Sequence, residues 1–204
     1  MTTVVYHGID HLARDVAFDN NQPPLPNSYI LFVGNVERRK NLQTAVRAFE
    51  LVKPSLPDLH FVIAGKNGYQ YEAVDACISQ SRYAPNIHRT GFVSQDDLLK
   101  LYHHARLLLF PSLYEGFGIP ILEAMSLGCP VITSNHGAMK EIAGASAIQV
   151  DSLNAEEMAG QILEVCTNEL RRKRLVEAGL SWSRRFTWKH CAEQTMQVYQ
   201  QSMM

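Results

Sequence analysis

The sequence predicts an α/β fold: a Rossmann-like parallel sheet with helices on both faces, followed by a helical C-terminus. Three observations carry that prediction. Short apolar runs recur along the chain, separated by stretches of helical length and periodicity. Several runs are apolar throughout rather than alternating, as strands buried on both faces are. Glycine follows one run after another, as it does where a strand turns into a helix.

The elements follow in order. Tyr29–Val33 is a strand, and a helical run extends from Lys40 to about Val52. Leu59–Ala64 is the next strand, with a helix from about Tyr71 to Ser81. Ile87–Val93 reads as a strand, and Ser94 with Asp97 three residues on forms an approximate capping box for the next helix. Leu107–Phe110 is a buried strand whose following helix ends near Gly128, and Val131–Thr133 is another. Ala147–Val150 is a short last strand. Asn154 with Glu157 caps a helix to about Cys166. The rest, Glu169 to Tyr199, is helical, with a break near Phe186-Thr187 where Thr187 caps anew. At the N-terminus, Val4 to Asp10 reads as a strand ending in a turn, and residues 13 to 28 read as a linker rich in Asn and Pro.

Bulk composition narrows the function classes. A chain of 204 residues, 46% hydrophobic, can bury a full core. Its 19 Lys plus Arg against 20 Asp plus Glu give no basic excess, which argues against a nucleic-acid partner. Cys77, Cys129, Cys166 and Cys191 are scattered and read as reduced, buried thiols of a cytoplasmic protein. The eight histidines show no ligand spacing, so no metal is expected. No apolar run is long enough to cross a membrane, which leaves room for a peripheral contact with one.

In open parallel sheets, ligands sit beyond the carboxyl ends of the strands. The loops there are 34–41, 65–69, 91–94, 111–118 and 134–137, and all carry glycine. The stretch from Pro111 to Glu123 is the most informative. It joins a strand to a helix through Glu115-Gly116-Phe117-Gly118 and places Glu123 on the helix beyond. Glycines let a ligand approach the backbone, and a helix start offers unpaired N–H groups to a phosphate. Two carboxylates beside that site could accept bonds from ligand hydroxyls, and a phosphate beside hydroxyls describes a nucleotide sugar. By spacing alone, the glutamates also fit solvated helix acids; the Gly-Phe-Gly between them favours the ligand. Arg38-Arg39-Lys40 stands at a helix start, where cations oppose the dipole, so it is either a solvated charge run or a diphosphate site.

These residues resemble the nucleotide-sugar-binding half of retaining glycosyltransferases of the GT-B fold, family four (group 1). The resemblance covers about Tyr29 to Tyr199. It rests on Phe32-Val33-Gly34 with Arg38 to Asn41, Ala64-Gly65-Lys66, Gly91-Phe92-Val93, the Glu115–Glu123 stretch, Gly128-Cys129-Pro130, and Gly137 with Glu141. It implies that Glu115 faces the donor sugar and stabilises charge at its anomeric carbon, and that Glu123 takes the ribose hydroxyls. Gly34 and Gly116 line the donor site, and N–H groups of Phe117, Gly118 and Ile119 hold donor oxygens. Arg39 and Lys40 neutralise the leaving diphosphate in place of a metal, and Val93 faces the base. It further implies that residues 1–28 are the end of an absent acceptor-binding domain plus a linker, and that 29–204 are the donor-binding domain. Departing from the family pattern, Asn35 replaces the Arg that often follows the first glycine.

The expected donor is GDP-mannose or a UDP-sugar, with a glycan or lipid-linked acceptor bound through the absent domain. The expected location is the cytoplasm, at the inner face of the membrane. Alternatives are a non-catalytic half acting with a partner chain and a sugar-nucleotide epimerase. A dehydrogenase fits poorly, because no Gly-x-Gly-x-x-Gly follows the first strand.

Overall fold

The computed structural model describes residues 3–10 and 26–202. Six strands form one sheet: β1 (Tyr29–Val33), β2 (His60–Ala64), β3 (Ile87–Gly91), β4 (Leu107–Phe110), β5 (Val131–Ser134) and β6 (Ile148–Val150). All pairs are parallel, in the order β3-β2-β1-β4-β5-β6. β1 and β4, at the centre, are buried at every position, which is why their sequences are apolar without alternation. Phe32 of β1 and Phe110 of β4 stack at 6.2 Å between ring centres. The strand order reverses between these two neighbours, and their carboxyl ends mark the position where an open sheet of this kind offers a crevice.

Among the described residues, eight α-helices connect and cover the strands: α1 (Leu42–Val52), α2 (Glu72–Gln80), α3 (Gln95–His104), α4 (Ile119–Ser126), α5 (Gly137–Ala143), α6 (Ala155–Thr167), α7 (Glu169–Ser183) and α8 (Trp188–Ser202). α1 packs with α2 and α6, while α4 packs with α3, α5 and α7. Three expected caps form. Ser94 accepts from the Asp97 N–H, Asn154 accepts from the Glu157 N–H, and Thr187 accepts from the His190 N–H after the break between α7 and α8.

Four expectations are corrected. The helix expected from Lys40 begins at Leu42, because Asn41 takes a left-handed conformation (φ 57°) and resets the chain. α5 is an extra helix, short and flanked by glycines, which hid its periodicity. Cys129 is buried, but Cys77, Cys166 and Cys191 lie on helices at the surface and are half-buried. Among the described residues, those of the N-terminal segment to Asp10 join no strand. Instead the Ile9 N–H donates to Phe186 O at 3.0 Å, and Asp10 Oδ1 accepts the Trp188 N–H at 2.8 Å. Gly8 lies so close under the Thr187–Trp188 backbone that any Cβ would collide with it. Most of the expected linker, residues 13 to 25, lies outside the described residues.

Candidate active site

The crevice between β1 and β4 is walled by two loops. On the β1 side, residues 34–37 run beside the loop after β2: Gly34 N donates to Ala64 O, Val36 N to Lys66 O at 2.8 Å, and Gly68 N to Val36 O at 3.0 Å. Arg38–Lys40 then form a single 3-10 turn. The β1 loop is also tied to the β4 loop. Leu113 N donates to Arg39 O at 2.8 Å, and the Asn41 amide donates to Pro111 O and Ser152 O.

Lys40 is only 6% exposed. Its chain passes Gly34, where an added Cβ would lie 3.4 Å from Nζ, and crosses the Phe110 ring with Nζ 5.1 Å from its centre. It ends on Glu115, with Nζ 2.5 Å from Oε1. Arg39 reaches the same carboxylate, Nη1 to Oε2 at 2.8 Å, and its Nε donates to Glu37 Oε2 at 2.8 Å. Burial pushes the Glu115 carboxyl up, but the Lys40 and Arg39 contacts outweigh it and hold the group below its ordinary value. Two cations of the basic triplet thus have carboxylate partners within the fold: Lys40 and Arg39 on Glu115, and Arg39 also on Glu37.

The β4 loop reaches α4 through Gly118, whose φ of 100° suits glycine alone. α4 has no side-chain cap. Among the described residues, no hydrogen bond uses the backbone N–H of Phe117, Gly118 or Ile119, so all three remain donors for an anion. Gly116 has open space where a Cβ would stand. Glu123 lies just over one turn into α4 and accepts from the Tyr102 hydroxyl at 2.8 Å. Burial first, and then Glu123, push the Tyr102 phenol well above its ordinary value, so it stays a proton donor.

The structure thus brings Arg39, Lys40 and Glu115 into contact, and gives Glu123 a buried partner. Val93 lies half-buried on the β3 side. Three features were not read from the sequence. Glu37 is drawn into the charge network, and the only hint was an acid beside a basic run. Lys66 Nζ stands 4.6 Å over the ring of the exposed Phe92. Phe117 packs against the His7 ring at 4.9 Å and the Tyr6 ring at 6.3 Å, so the N-terminal segment touches the glycine-rich turn. No group of three His, Cys, Asp or Glu residues able to hold a metal occurs among the described residues, and no described helix is long and apolar enough to cross a membrane.

A doubly wound sheet with two cations and an uncapped helix start at its switch point defines an open-sheet α/β protein with N–H donors, unpaired among the described residues, where such sheets receive anions. The chain matches the family described as Glycosyl transferases group 1 over residues 13–182, and it belongs to that family. It is 31% identical to an O-antigen chain mannosyltransferase B of Escherichia coli, over 84% of this chain and 45% of that protein. The chain spans about half the length, or less, of the curated relatives it matches. Among solved structures it resembles S. aureus TarM, crystallised with UDP, at a TM-score of 0.75 and 18% identity, over 88% of this chain and 37% of that one. It also resembles the C-terminal domain of a glycosyl transferase group 1 family protein from Francisella tularensis, at a TM-score of 0.67 and 20% identity, over 78% and 85% of the two chains.

Proposed function

We propose that residues 29–204 are the donor-binding domain of a retaining hexosyltransferase, and that residues 1–28 belong to the end of its acceptor-binding domain and the connection between the two. The observation that carries this reading is the convergence of Lys40 and Arg39 on Glu115 at the β1–β4 switch point. A diphosphate entering the crevice takes over the two cations, and Glu115 turns to the donor sugar. Cations aimed at the leaving diphosphate stabilise the charge that grows there during transfer. The N–H groups of Phe117, Gly118 and Ile119 hold donor oxygens, and Glu123, oriented by Tyr102, takes the ribose hydroxyls. Gly34, Val93 and Gly116 line the donor's path. Retention follows if the acceptor attacks the donor face that the phosphate leaves, and the phosphate takes its proton.

The favoured donor is GDP-mannose, supported by the mannosyltransferases among the relatives. A UDP-sugar is the second reading, favoured by a structural neighbour that holds UDP. The acceptor is a glycan or a lipid-linked sugar at the cytoplasmic face of a membrane, bound by the other domain. Alone, the chain binds donor but transfers little, because positioning both substrates supplies much of the rate. Titration of the purified chain with GDP, UDP and ADP by calorimetry, without added metal, tests this reading. Binding of one nucleotide, lost in Glu123→Ala, is expected. Binding of none, or binding indifferent to Glu123, overturns it.

A further inference from the structure

Glu37 is the one acid within the phosphate-side loop, and its surroundings are unusual for a surface carboxylate. Its side chain is only 20% exposed. It stands at the start of the 3-10 turn but caps nothing there. Its stem is seated on Gly68, where any Cβ would overlap its Cγ. That seat is fixed, because the Gly68 N–H is bonded to Val36 O. Among the described residues, its carboxylate has one polar partner, Arg39 Nε at 2.8 Å. Arg39 Nη1 is meanwhile held by Glu115 and by Tyr114 O at 3.3 Å. Two anchors on different nitrogens fix the plane of a guanidinium, and Nη2 is left without a protein partner among the described residues.

An acid beside a site for anions weakens their binding by simple charge repulsion. Its presence there calls for a compensating gain. Arginine carries several rotatable bonds, and a guanidinium already fixed in its bound orientation loses less freedom when the ligand arrives. When a diphosphate displaces Glu115 from Arg39, the Nε anchor remains as its one charged partner among the described residues, beside the longer contact of Nη1 with Tyr114 O.

We propose that Glu37 is a positioning residue for the donor diphosphate, holding Arg39 by Nε so that its remaining N–H groups meet the phosphate oxygens without rearrangement. This rests on the crevice being a nucleoside-diphosphate site. The test separates charge from geometry. Glu37→Gln and Glu37→Met both remove the charge and both keep a stem against Gly68, but only Gln keeps an acceptor for Arg39 Nε.

Calorimetry with GDP and UDP on the full chain reads the outcome. Glu37→Gln binds as tightly as the unaltered chain or more tightly, and Glu37→Met binds about tenfold more weakly than Glu37→Gln. In an Arg39→Lys background, which lacks Nε, the difference between Gln and Met disappears. Equal binding by the two variants when Arg39 is intact overturns the proposal. So does a difference that persists in the Arg39→Lys background, since a merely structural role of Glu37 does not depend on Nε. If the unaltered chain binds neither nucleotide, the reading of the crevice fails, and this proposal fails with it. Far-ultraviolet circular dichroism checks that each variant folds, and Glu37→Ala replaces Glu37→Met if the latter does not.

Discussion

Two lysines flank α1, and both are nearly buried: Lys40 just before it, 6% exposed, and Lys53 just after it, 4% exposed. Each ammonium lies over a phenylalanine, Lys40 over Phe110 at 5.1 Å and Lys53 over Phe49 at 6.0 Å. Their partners differ. Lys53 donates to the backbone carbonyls of Pro57 and Leu59, the latter at 2.7 Å, and closes the turn between α1 and β2. Lys40 meets the side chain of Glu115 from a distant loop. Backbone carbonyls cannot leave without unfolding the turn, whereas a carboxylate side chain can be exchanged for an incoming anion. Lys53 also sits where a cation favours the helix dipole, and Lys40 sits at the opposed end. On the proposed function, the exchangeable partner, rather than burial, separates a cation available to a ligand from one committed to the fold.

That contrast can be broken by experiment. The largest effect is expected from Lys53→Ala, which leaves two carbonyls without their donor. Unfolding in urea should show a loss of about 2–4 kcal/mol, with nucleotide affinity of the folded protein unchanged. Lys40→Met should do the reverse: nucleotide affinity falls about 30- to 100-fold by calorimetry, while stability moves by about 1 kcal/mol or less, since Arg39 still pairs with Glu115. If both substitutions act on stability alone, the distinction fails.

The smallest effect sharpens the contrast through pH. Glu115 is held below its ordinary value of 4.5, so its folded state binds protons less readily than its unfolded state. The stability it contributes is complete above 4.5 and is lost as pH falls through the lowered value. The stability of Glu115→Gln should therefore fall less steeply with acid, and the gap between variant and parent should narrow below 4.5 in urea titrations across pH. Parallel profiles would mean that the ion pairs with Lys40 and Arg39 add nothing to the folded state.

Strand and helix order was legible in the sequence because fully buried strands are apolar throughout and their helices announce themselves with caps. Ser94, Asn154 and Thr187 each bond as their spacing predicts. The meeting of the 34–41 and 111–118 loops was legible because strand ends that carry glycine and charge converge in a parallel sheet. What could not be read depends on long-range contact. Nothing near Glu37 in the chain says that Gly68 gives it a seat, and nothing near Tyr102 says that its hydroxyl meets Glu123. The N-terminal segment misled for the same reason. Its apolar, extended residues fit a strand, yet its backbone is engaged by the junction between α7 and α8.

That junction has a mechanical consequence. Asp10 is fastened to Trp188, Gly8 lies flat beneath the same backbone, and His7 and Tyr6 lean on Phe117 in the glycine-rich turn. Two parts of the chain far apart in sequence therefore meet at one junction, and that junction touches the glycine-rich turn. The His7 ring stands between Trp188, the first residue of α8, and Phe117, so the seat of the C-terminal helix and the glycine-rich turn are bridged by one imidazole.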